Sequence, residues 1–356
     1  MKRYAISLLI ILLPGLLAGP CLADSTPWQA VWGSETATEK ITMTGRVNVM
    51  TVNDGRSLSA TAAVTAARGK IRFDYQTFRR RWSLIDDGTH LIQLHPDRKT
   101  ALLLERPTLA VDRTLAERNY HAREAGEETV AGRKARIIEI APREGGPPVY
   151  RLWLDRETRF ALKRERHNVE GRLTSGTEYT AVQFGPAVSP GVFAVPQGWV
   201  TKQPVDREAK LSLSQLGARL GFAIRSPKYL PPGYVLLGGY EQEWGRHRLR
   251  MAELRYTDGL RVLSIFQRER MGDEGMGRHG GGGREHGRGR GDRDRDRDRD
   301  RGRGGGLGFG PPGREEMTLV DRGTEKALRY FGRTAAVMVV GDLTAEEIVR
   351  IAKSVD

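Results

Sequence analysis

The chain has 356 residues, and its 58 Lys and Arg against 44 Asp and Glu give a formal net charge of +14 at pH 7. Its single cysteine, Cys21, excludes an internal disulfide framework and a zinc site built from several thiolates. The basic balance favours acidic partners such as lipid phosphates, acidic peptide segments or nucleic acid. The length allows a sizeable buried core and indicates two domains.

The N-terminus has the pattern of an export signal. A basic start precedes the apolar residues 5–17, and Cys21 and Ala23 occupy small positions suited to a cleavage site. Pro-Gly and Gly-Pro pairs interrupt the apolar run, which argues against a spanning helix. We expect cleavage after Ala23, so that residues 1–23 are a signal peptide and the mature chain is periplasmic. A retained membrane anchor and a lipidated Cys21 are the alternatives, and export argues against nucleic acid as a partner.

Short strands separated by turn residues dominate the chain from about residue 31 to residue 184. The predicted strands are residues 44–49, 71–75, 82–85, 91–94, 101–104, 136–140, 150–154, 160–165 and 177–184. Such spacing with hairpin turns indicates an antiparallel meander. Helical stretches at 26–39 and 107–120 are expected to cover one face of the sheet.

A second unit follows a linker at residues 201–211, which divides the mature chain into domains at 24–200 and 212–356. Ser212 and Gln215 have the spacing of a helix-capping box. The second domain is therefore expected to begin with a short helix.

The rest of the second domain combines strands with a final helix. The sequence Thr-Asp-Gly at 257–259 predicts a hairpin turn, and residues 335–340 predict a buried strand. Thr344 and Glu347 form another predicted capping box, before a helix that buries Ile348. This domain is predicted to be α+β.

A low-complexity insertion, residues 271–314, interrupts the second domain with Gly runs and alternating Arg and Asp. The alternation places like charges at i and i+4 on a helix and offers a strand nothing apolar to bury. We predict a disordered, solvated loop. RNA association is the alternative, but no aromatic residues interleave the repeat for base stacking.

No catalytic or metal-binding spacing is present in the sequence. His279 and His286 have acidic neighbours in the insertion, but nothing fixes their geometry as metal ligands. Asp86 and Asp87 are a paired-carboxylate candidate that a turn between two strands explains better. The chain is therefore predicted not to be an enzyme, and to bind neither metal nor cofactor.

Two blocks of sequence resemble the MucB/RseB family. The first comprises Asn-Tyr at 119–120, Val-Ala-Gly-Arg at 130–133, residues 137–142, Tyr-Arg-Leu-Trp-Leu-Asp at 150–155 and Leu-Lys at 162–163. The second comprises Leu-Pro-Pro-Gly-Tyr at 230–234, residues 256–260 and 263–266, and Val-Gly-Asp-Leu at 340–343. The resemblance covers most of the mature chain, and the Arg-Asp insertion departs from it.

This resemblance implies a fold and a function. The fold is α+β: an N-terminal antiparallel half-barrel, like that of the lipoprotein carriers LolA and LolB, covered by helices and followed by a smaller α+β domain. The implied function is periplasmic regulation of envelope-stress sigma-factor signalling, by binding the periplasmic segment of a membrane anti-sigma factor and sensing lipid or lipoprotein. A LolA-type carrier is the alternative function, and the oligomeric state, a homodimer included, stays open.

A half-closed sheet has a concave apolar face, and burying ten acyl CH₂ groups there gains on the order of 8 kcal/mol. The candidate lining residues for acyl chains are Ile71, Phe73, Tyr75, Trp82, Leu84, Leu152 and Leu154. The alternative is that they pack the core. Arg79, Arg80 and Arg81 are candidates for anionic headgroups, or for a charged hairpin edge that discourages aggregation.

Overall fold

The computed structural model describes residues 26–53, 55–77, 81–105, 112–203, 210–244, 249–269, 316–332 and 335–355. In these ranges the strands form one twelve-stranded and one six-stranded sheet, with a few short helices. The predicted α+β class, a curved antiparallel sheet followed by a smaller mixed domain, is confirmed. The predicted signal peptide and the predicted insertion lie outside the described residues.

The first sheet uses residues from 42 to 202. Its strands are β1 (Thr42–Asn53), β2 (Arg56–Ala67), β3 (Lys70–Gln76), β4 (Arg81–Asp86), β5 (His90–His95), β6 (Thr100–Glu105), β7 (Tyr120–Val130), β8 (Arg133–Pro142), β9 (Tyr150–Asp155), β10 (Ala161–His167), β11 (Leu173–Phe184) and β12 (Val200–Lys202). Its helices are α1 (Pro27–Glu35), α2 (Ala37–Lys40) and α3 (Arg113–Asn119).

Two meanders make up this sheet. Its strand order is β12-β6-β5-β4-β3-β2-β1-β11-β10-β9-β8-β7, so β11 returns to pair with β1 and joins the two meanders. All these pairings are antiparallel except that of β12 with β6, which is parallel. The predicted antiparallel meander is thus present, with one short parallel strand added at an edge.

The sheet curls at the end formed by β7 to β11. Strands β7 and β11 come within 8 Å of each other, although three strands lie between them. In a flat sheet the separation would be about 19 Å. Arg133, on β8, also lies 4.8 Å from the ring centre of Phe184, on β11. The face that carries both side chains is therefore the inside of the curl.

We call this apolar face the inner face. Its buried residues are Ala37, Met43, Val47, Val49, Ala62, Val64, Ala66, Ile71, Phe73, Tyr75, Leu84, Leu91, Val130, Ala135, Trp153, Phe160, Leu162 and Tyr179. Helix α1 packs against β7 to β10 with a second cluster of buried residues. On the face opposite the inner face, the chain after β11 packs against β4 to β6. Because both faces bury apolar side chains, several strands are apolar at consecutive positions.

The second sheet follows in the last third of the chain. Its strands are β13 (Val235–Trp244), β14 (Leu249–Thr257), β15 (Val262–Glu269), β16 (Glu316–Asp321), β17 (Lys326–Phe331) and β18 (Ala335–Gly341). The strand order is β13-β14-β15-β18-β17-β16. Helix α4 (Leu213–Leu220) contacts β13 and β14, and helix α5 (Ala345–Ser354) contacts β17 and β18.

The two helices of this part begin as predicted. Ser212 and Gln215 form a reciprocal capping box at α4, and Thr344 and Glu347 form one at α5. Ile348 on α5 is fully buried. None of the helices in the described ranges has both the length and the apolarity of a membrane span.

Candidate functional site

Five predicted lining residues lie together on the inner face. Ile71, Phe73 and Tyr75 alternate along β3, and on β4 Leu84 is opposite Phe73 while Trp82 is opposite Tyr75. The rings of Tyr75 and Trp82 stack with centroids 4.0 Å apart and planes 12° apart. Strict alternation on two adjacent strands explains why the sequence pattern could place these five side chains on one face.

The other two predicted lining residues pack in a separate buried cluster. Leu152 and Leu154 pack there with α1, and Trp153 between them packs with the cluster of the inner face. Leu152 is opposite Arg164, Arg164 is opposite Thr177, and Thr177 is opposite Val49. Leu152 and Leu154 therefore lie on the sheet face that carries Val49. That the seven side chains line a site for acyl chains stays a prediction.

The inner face is filled by side chains of this protein. Tyr75 is only 2% exposed, and Phe73 and Leu84 are also buried. The hydroxyl of Tyr75 has no hydrogen-bond partner among the described residues, and burial raises its pKa. A buried hydroxyl without a partner costs about 1–3 kcal/mol, so this position favours a polar group or a water molecule that would satisfy it.

One end of the inner face is open to solvent. Leu58 on β2 continues the inward-facing alternate positions beyond Ala60, and Leu173 begins β11 at the same end of the sheet; both are exposed. The Tyr75–Trp82 stack lies toward the same end of the sheet. Tyr75 is opposite Ala62 on β2, and Ala62 is four residues from Leu58. The described residues thus give the inner face an apolar mouth.

The predicted headgroup arginines lie in the hairpin between β3 and β4. Arg79 and Arg80 are outside the described residues. Arg81 is exposed and begins β4 one position before Trp82, so its side chain leaves the sheet from the opposite face. The predicted Asp86-Asp87 turn is present, with a carboxylate oxygen of each residue accepting backbone N–H bonds within the turn.

A hydrogen bond and an ion pair connect helices α1 and α3 beside the sheet. The indole of Trp32 donates to Glu117 at 2.6 Å, and Arg113 pairs with Glu35 at 3.0 Å. Burial raises the pKa of the Glu35 carboxyl to about 7, although Arg113 and Arg164 oppose the shift. Sequence reasoning predicted both helices but not this buried ion pair.

The turn between β14 and β15 joins the second sheet to α3 and the start of β7. Tyr120 donates a short hydrogen bond to the Asp258 carboxylate, and Asn119 donates to the Asp258 carbonyl at 2.8 Å. Gly259 has φ +102°, and a Cβ placed there would lie 2.4 Å from the Ala116 nitrogen. Glycine is therefore required for this approach. The sequence indicated a turn here without indicating its contact.

A second set of contacts joins the 168–172 turn to the other side of the second sheet. Asp342 accepts from the Val169 backbone at 2.9 Å and pairs with Arg261 at 3.3 Å. Lys326 reaches Glu170 at 2.7 Å. With the Asp258 contacts, these buried polar pairs fix how the two sheets sit together. We call the two sets of contacts the joint.

Within the described ranges, no group of three or more His, Cys, Asp or Glu side chains could hold a metal ion. The joint contains charged groups in pairs, and each pair links two chain segments. The described residues form an apolar face with an open end and two sheets that are firmly connected. Both features are suited to binding.

Comparison with known proteins gives matches to the MucB/RseB family. Residues 80–201 match the model of the MucB/RseB N-terminal domain. The regulatory protein MucB of sigma factor AlgU from Pseudomonas aeruginosa is 28% identical over 147 residues, which are 41% of this chain and 43% of that protein. That match therefore spans less than half of the relative's own length.

The fold is similar over a longer region. A solved complex of Pseudomonas aeruginosa MucA and MucB matches with a TM-score of 0.58 at 16% identity, over 92% of this chain and 96% of that one. A crystal structure of MucB with MucA(peri) matches with a TM-score of 0.56 at 18% identity, over 91% and 96%. Residues 80–201 are therefore similar to the MucB/RseB N-terminal domain, and the fold across both sheets is that of MucB.

Proposed function

We propose that this protein is a periplasmic regulator of an envelope-stress sigma factor, and that it binds the periplasmic segment of a membrane-embedded anti-sigma factor. One observation carries the proposal. The likeness to MucB chains solved together with MucA extends over both sheets and nearly the whole of those chains. The export pattern of residues 1–23 supports a periplasmic location.

The joint supports a binding role on physical grounds. Because Asp258 and Asp342 hold the second sheet against the first, a partner that contacts both sheets meets a surface already arranged for it. A preformed surface loses less conformational entropy on association than one that must be assembled. The net charge of +14, which becomes +12 when Lys2 and Arg3 leave with the signal peptide, adds long-range attraction for an acidic segment.

The test is capture of the partner from its own envelope. Residues 24–356, tagged at the C-terminus, are incubated with detergent-solubilised envelope of the source organism, and bound proteins are identified by mass spectrometry. The proposal expects enrichment of a membrane anti-sigma factor over a tag-only control. Recovery of lipoproteins without an anti-sigma factor would favour the alternative, a LolA-type carrier.

A second candidate function is recognition of an acyl chain at the inner face. The partnerless hydroxyl of Tyr75 and the apolar mouth at Leu58 and Leu173 support it. Because the inner face is filled, an acyl chain enters only if side chains around the Tyr75–Trp82 stack move apart. A lipid-sensing regulator would keep such a ligand, whereas a carrier would pass it to an acceptor membrane.

Native mass spectrometry after incubation with phosphatidylglycerol vesicles tests this second function. Leu58→Asp places a charge at the mouth, and Leu236→Asp, on the second sheet, is a control with similar exposure. Lipid adducts on the unchanged chain and on the control, but not on Leu58→Asp, would support the mouth. Equal adducts on all three chains would refute it, and no adducts on any chain would refute lipid binding itself.

A further inference from the structure

Strand β16 is an outer edge of the second sheet with unusual exposure. All six of its residues, Glu316 to Asp321, are exposed, and within the described part of the chain only β17 pairs with it. Its register with β17 is continuous from end to end, without a bulge. An edge of this kind presents a row of unpaired backbone N–H and C=O groups.

The opposite edge of the same sheet is protected. Strand β13 has a register shift between Leu236 and Gly238, and Leu211 forms an antiparallel bridge to Gly239 from outside. Proteins use bulges and covering segments of this kind to prevent strand addition. The described residues give β16 neither device, and it has no proline.

Apolar side chains accompany the open edge. Met317 and Leu319 are exposed and lie opposite Tyr330 and Leu328, which are buried in the core that α5 covers. The apolar face of the sheet thus continues past the helix onto β16. Val320 adds an exposed apolar side chain on the other face of the strand.

The open edge lies near the mouth of the inner face. Asp321 at the end of β16 pairs with Arg172 at 3.0 Å, and Leu173 follows Arg172. Eight large hydrophobic residues are exposed in the described ranges, and five of them lie on β16 or at this mouth. Clustered exposed apolar residues mark interaction sites more often than scattered ones do.

We propose that the free edge of β16 is where the anti-sigma segment docks, as an added strand with apolar residues at alternate positions and a net acidic charge. This inference rests on the proposed function and names its contact surface. Backbone pairing along the edge supplies affinity, and contacts with Met317 and Leu319 supply selectivity. The acidic character follows from charge complementarity with the mature chain, whose net charge is +12 once Lys2 and Arg3 are removed from the +14 of the full sequence.

The first test is a titration with the periplasmic domain of the anti-sigma factor recovered in the capture experiment. Leu319→Asp places a negative charge on the open edge, where Leu319 is 41% exposed, and the matched control Leu236→Asp changes a leucine 43% exposed on the protected edge. We expect binding of the acidic segment to weaken about tenfold or more in Leu319→Asp, and less than about twofold in the control. Both variants should melt like the unchanged chain.

The outcomes separate the two proposals. If the unchanged chain does not bind the domain, the proposed function fails. If the unchanged chain binds and the two variants bind equally well, the docking surface is wrong while the function stands.

Photo-crosslinking identifies the occupant of the edge. A benzophenone amino acid replaces Leu319 in the full chain, and crosslinked peptides are sequenced by mass spectrometry with the partner domain present. Crosslinks to an acidic segment of that domain support the proposal. Crosslinks to residues 270–315 of the same chain, or to β16 of a second copy, overturn it, because another segment then occupies the edge.

Discussion

Gly259 brings the second sheet against α3, so its substitution by alanine is a sharp test of the joint. The residue has φ +102°, and an added Cβ would lie 2.4 Å from the nitrogen and 2.8 Å from the Cα of Ala116. Both atoms belong to backbone, so no side-chain rotation relieves the contact. In Gly259→Ala the turn must withdraw from the helix.

The cost has two parts, and Gly88→Ala isolates one of them. Gly88 has φ +90° but no atom within 4 Å of an added Cβ, so its substitution imposes backbone strain alone. Such strain costs about 1–3 kcal/mol. Gly259→Ala adds the loss of the two hydrogen bonds to Asp258, from Asn119 and Tyr120, at about 1–2 kcal/mol each. We expect it to lower the free energy of unfolding by roughly 2–4 kcal/mol more than the control.

Urea unfolding, followed by tryptophan fluorescence and circular dichroism, measures both variants. Loosening of the joint should also accelerate proteolytic cleavage between the two sheets in Gly259→Ala and not in Gly88→Ala. Equal losses of stability in the two variants, with unchanged proteolysis, would refute the conclusion that this glycine is required for the contact between the sheets.

Three further predictions concern single buried groups. Tyr120→Phe removes the hydroxyl that donates to Asp258 and should lower the free energy of unfolding by about 1.5–3 kcal/mol in urea titrations; an unchanged value would contradict it. Glu35 has its pKa raised to about 7 by burial, so its stabilising contribution is complete below its unfolded pKa near 4.5 and is lost as the pH rises through 7. Glu35→Gln should therefore gain stability relative to the unchanged chain between pH 5 and pH 8, and a difference independent of pH would contradict this. Asn168→Ala removes a side chain that accepts two backbone N–H bonds and donates to the Gly323 carbonyl, so thermal unfolding should move several degrees lower, whereas an unaltered melting temperature would count against that role.

Most strands of the first sheet could be predicted because their side chains alternate. Strands β2 and β7 were not predicted, because their sequences lack alternation of apolar and polar side chains. Strand β2 is mainly Ser, Ala and Thr, and it buries only small side chains such as Ala62 and Ala66. Strand β7 is charged and largely exposed along its length, so nothing in its sequence marks a buried face. Pairing with neighbouring strands, which a local pattern does not contain, determines both.

Two strands of the second sheet show the same limit. Strands β16 and β17 follow the low-complexity segment, and the exposed pattern of β16 does not alternate. By contrast, local signals predicted the helix starts, because a capping box is complete within four residues. The Thr-Asp-Gly turn was predicted for the same reason.

The candidate site could be predicted only in part. Alternation placed five lining residues in one cluster, but it could not show that Leu152 and Leu154 pack in a separate cluster with α1. The joint was beyond sequence reasoning because its pairs, such as Tyr120 with Asp258, lie more than a hundred residues apart. No spacing rule connects such distant polar residues, and the fold alone brings them together.

The most direct measurement is isothermal titration of the mature chain with the periplasmic domain of the membrane anti-sigma factor from the same organism. A binding protein for that segment should give saturable heats with one partner per chain and a Kd of about 1 μM or tighter, or about −8 kcal/mol. The absence of saturable heat, with both proteins folded, would contradict the proposed function.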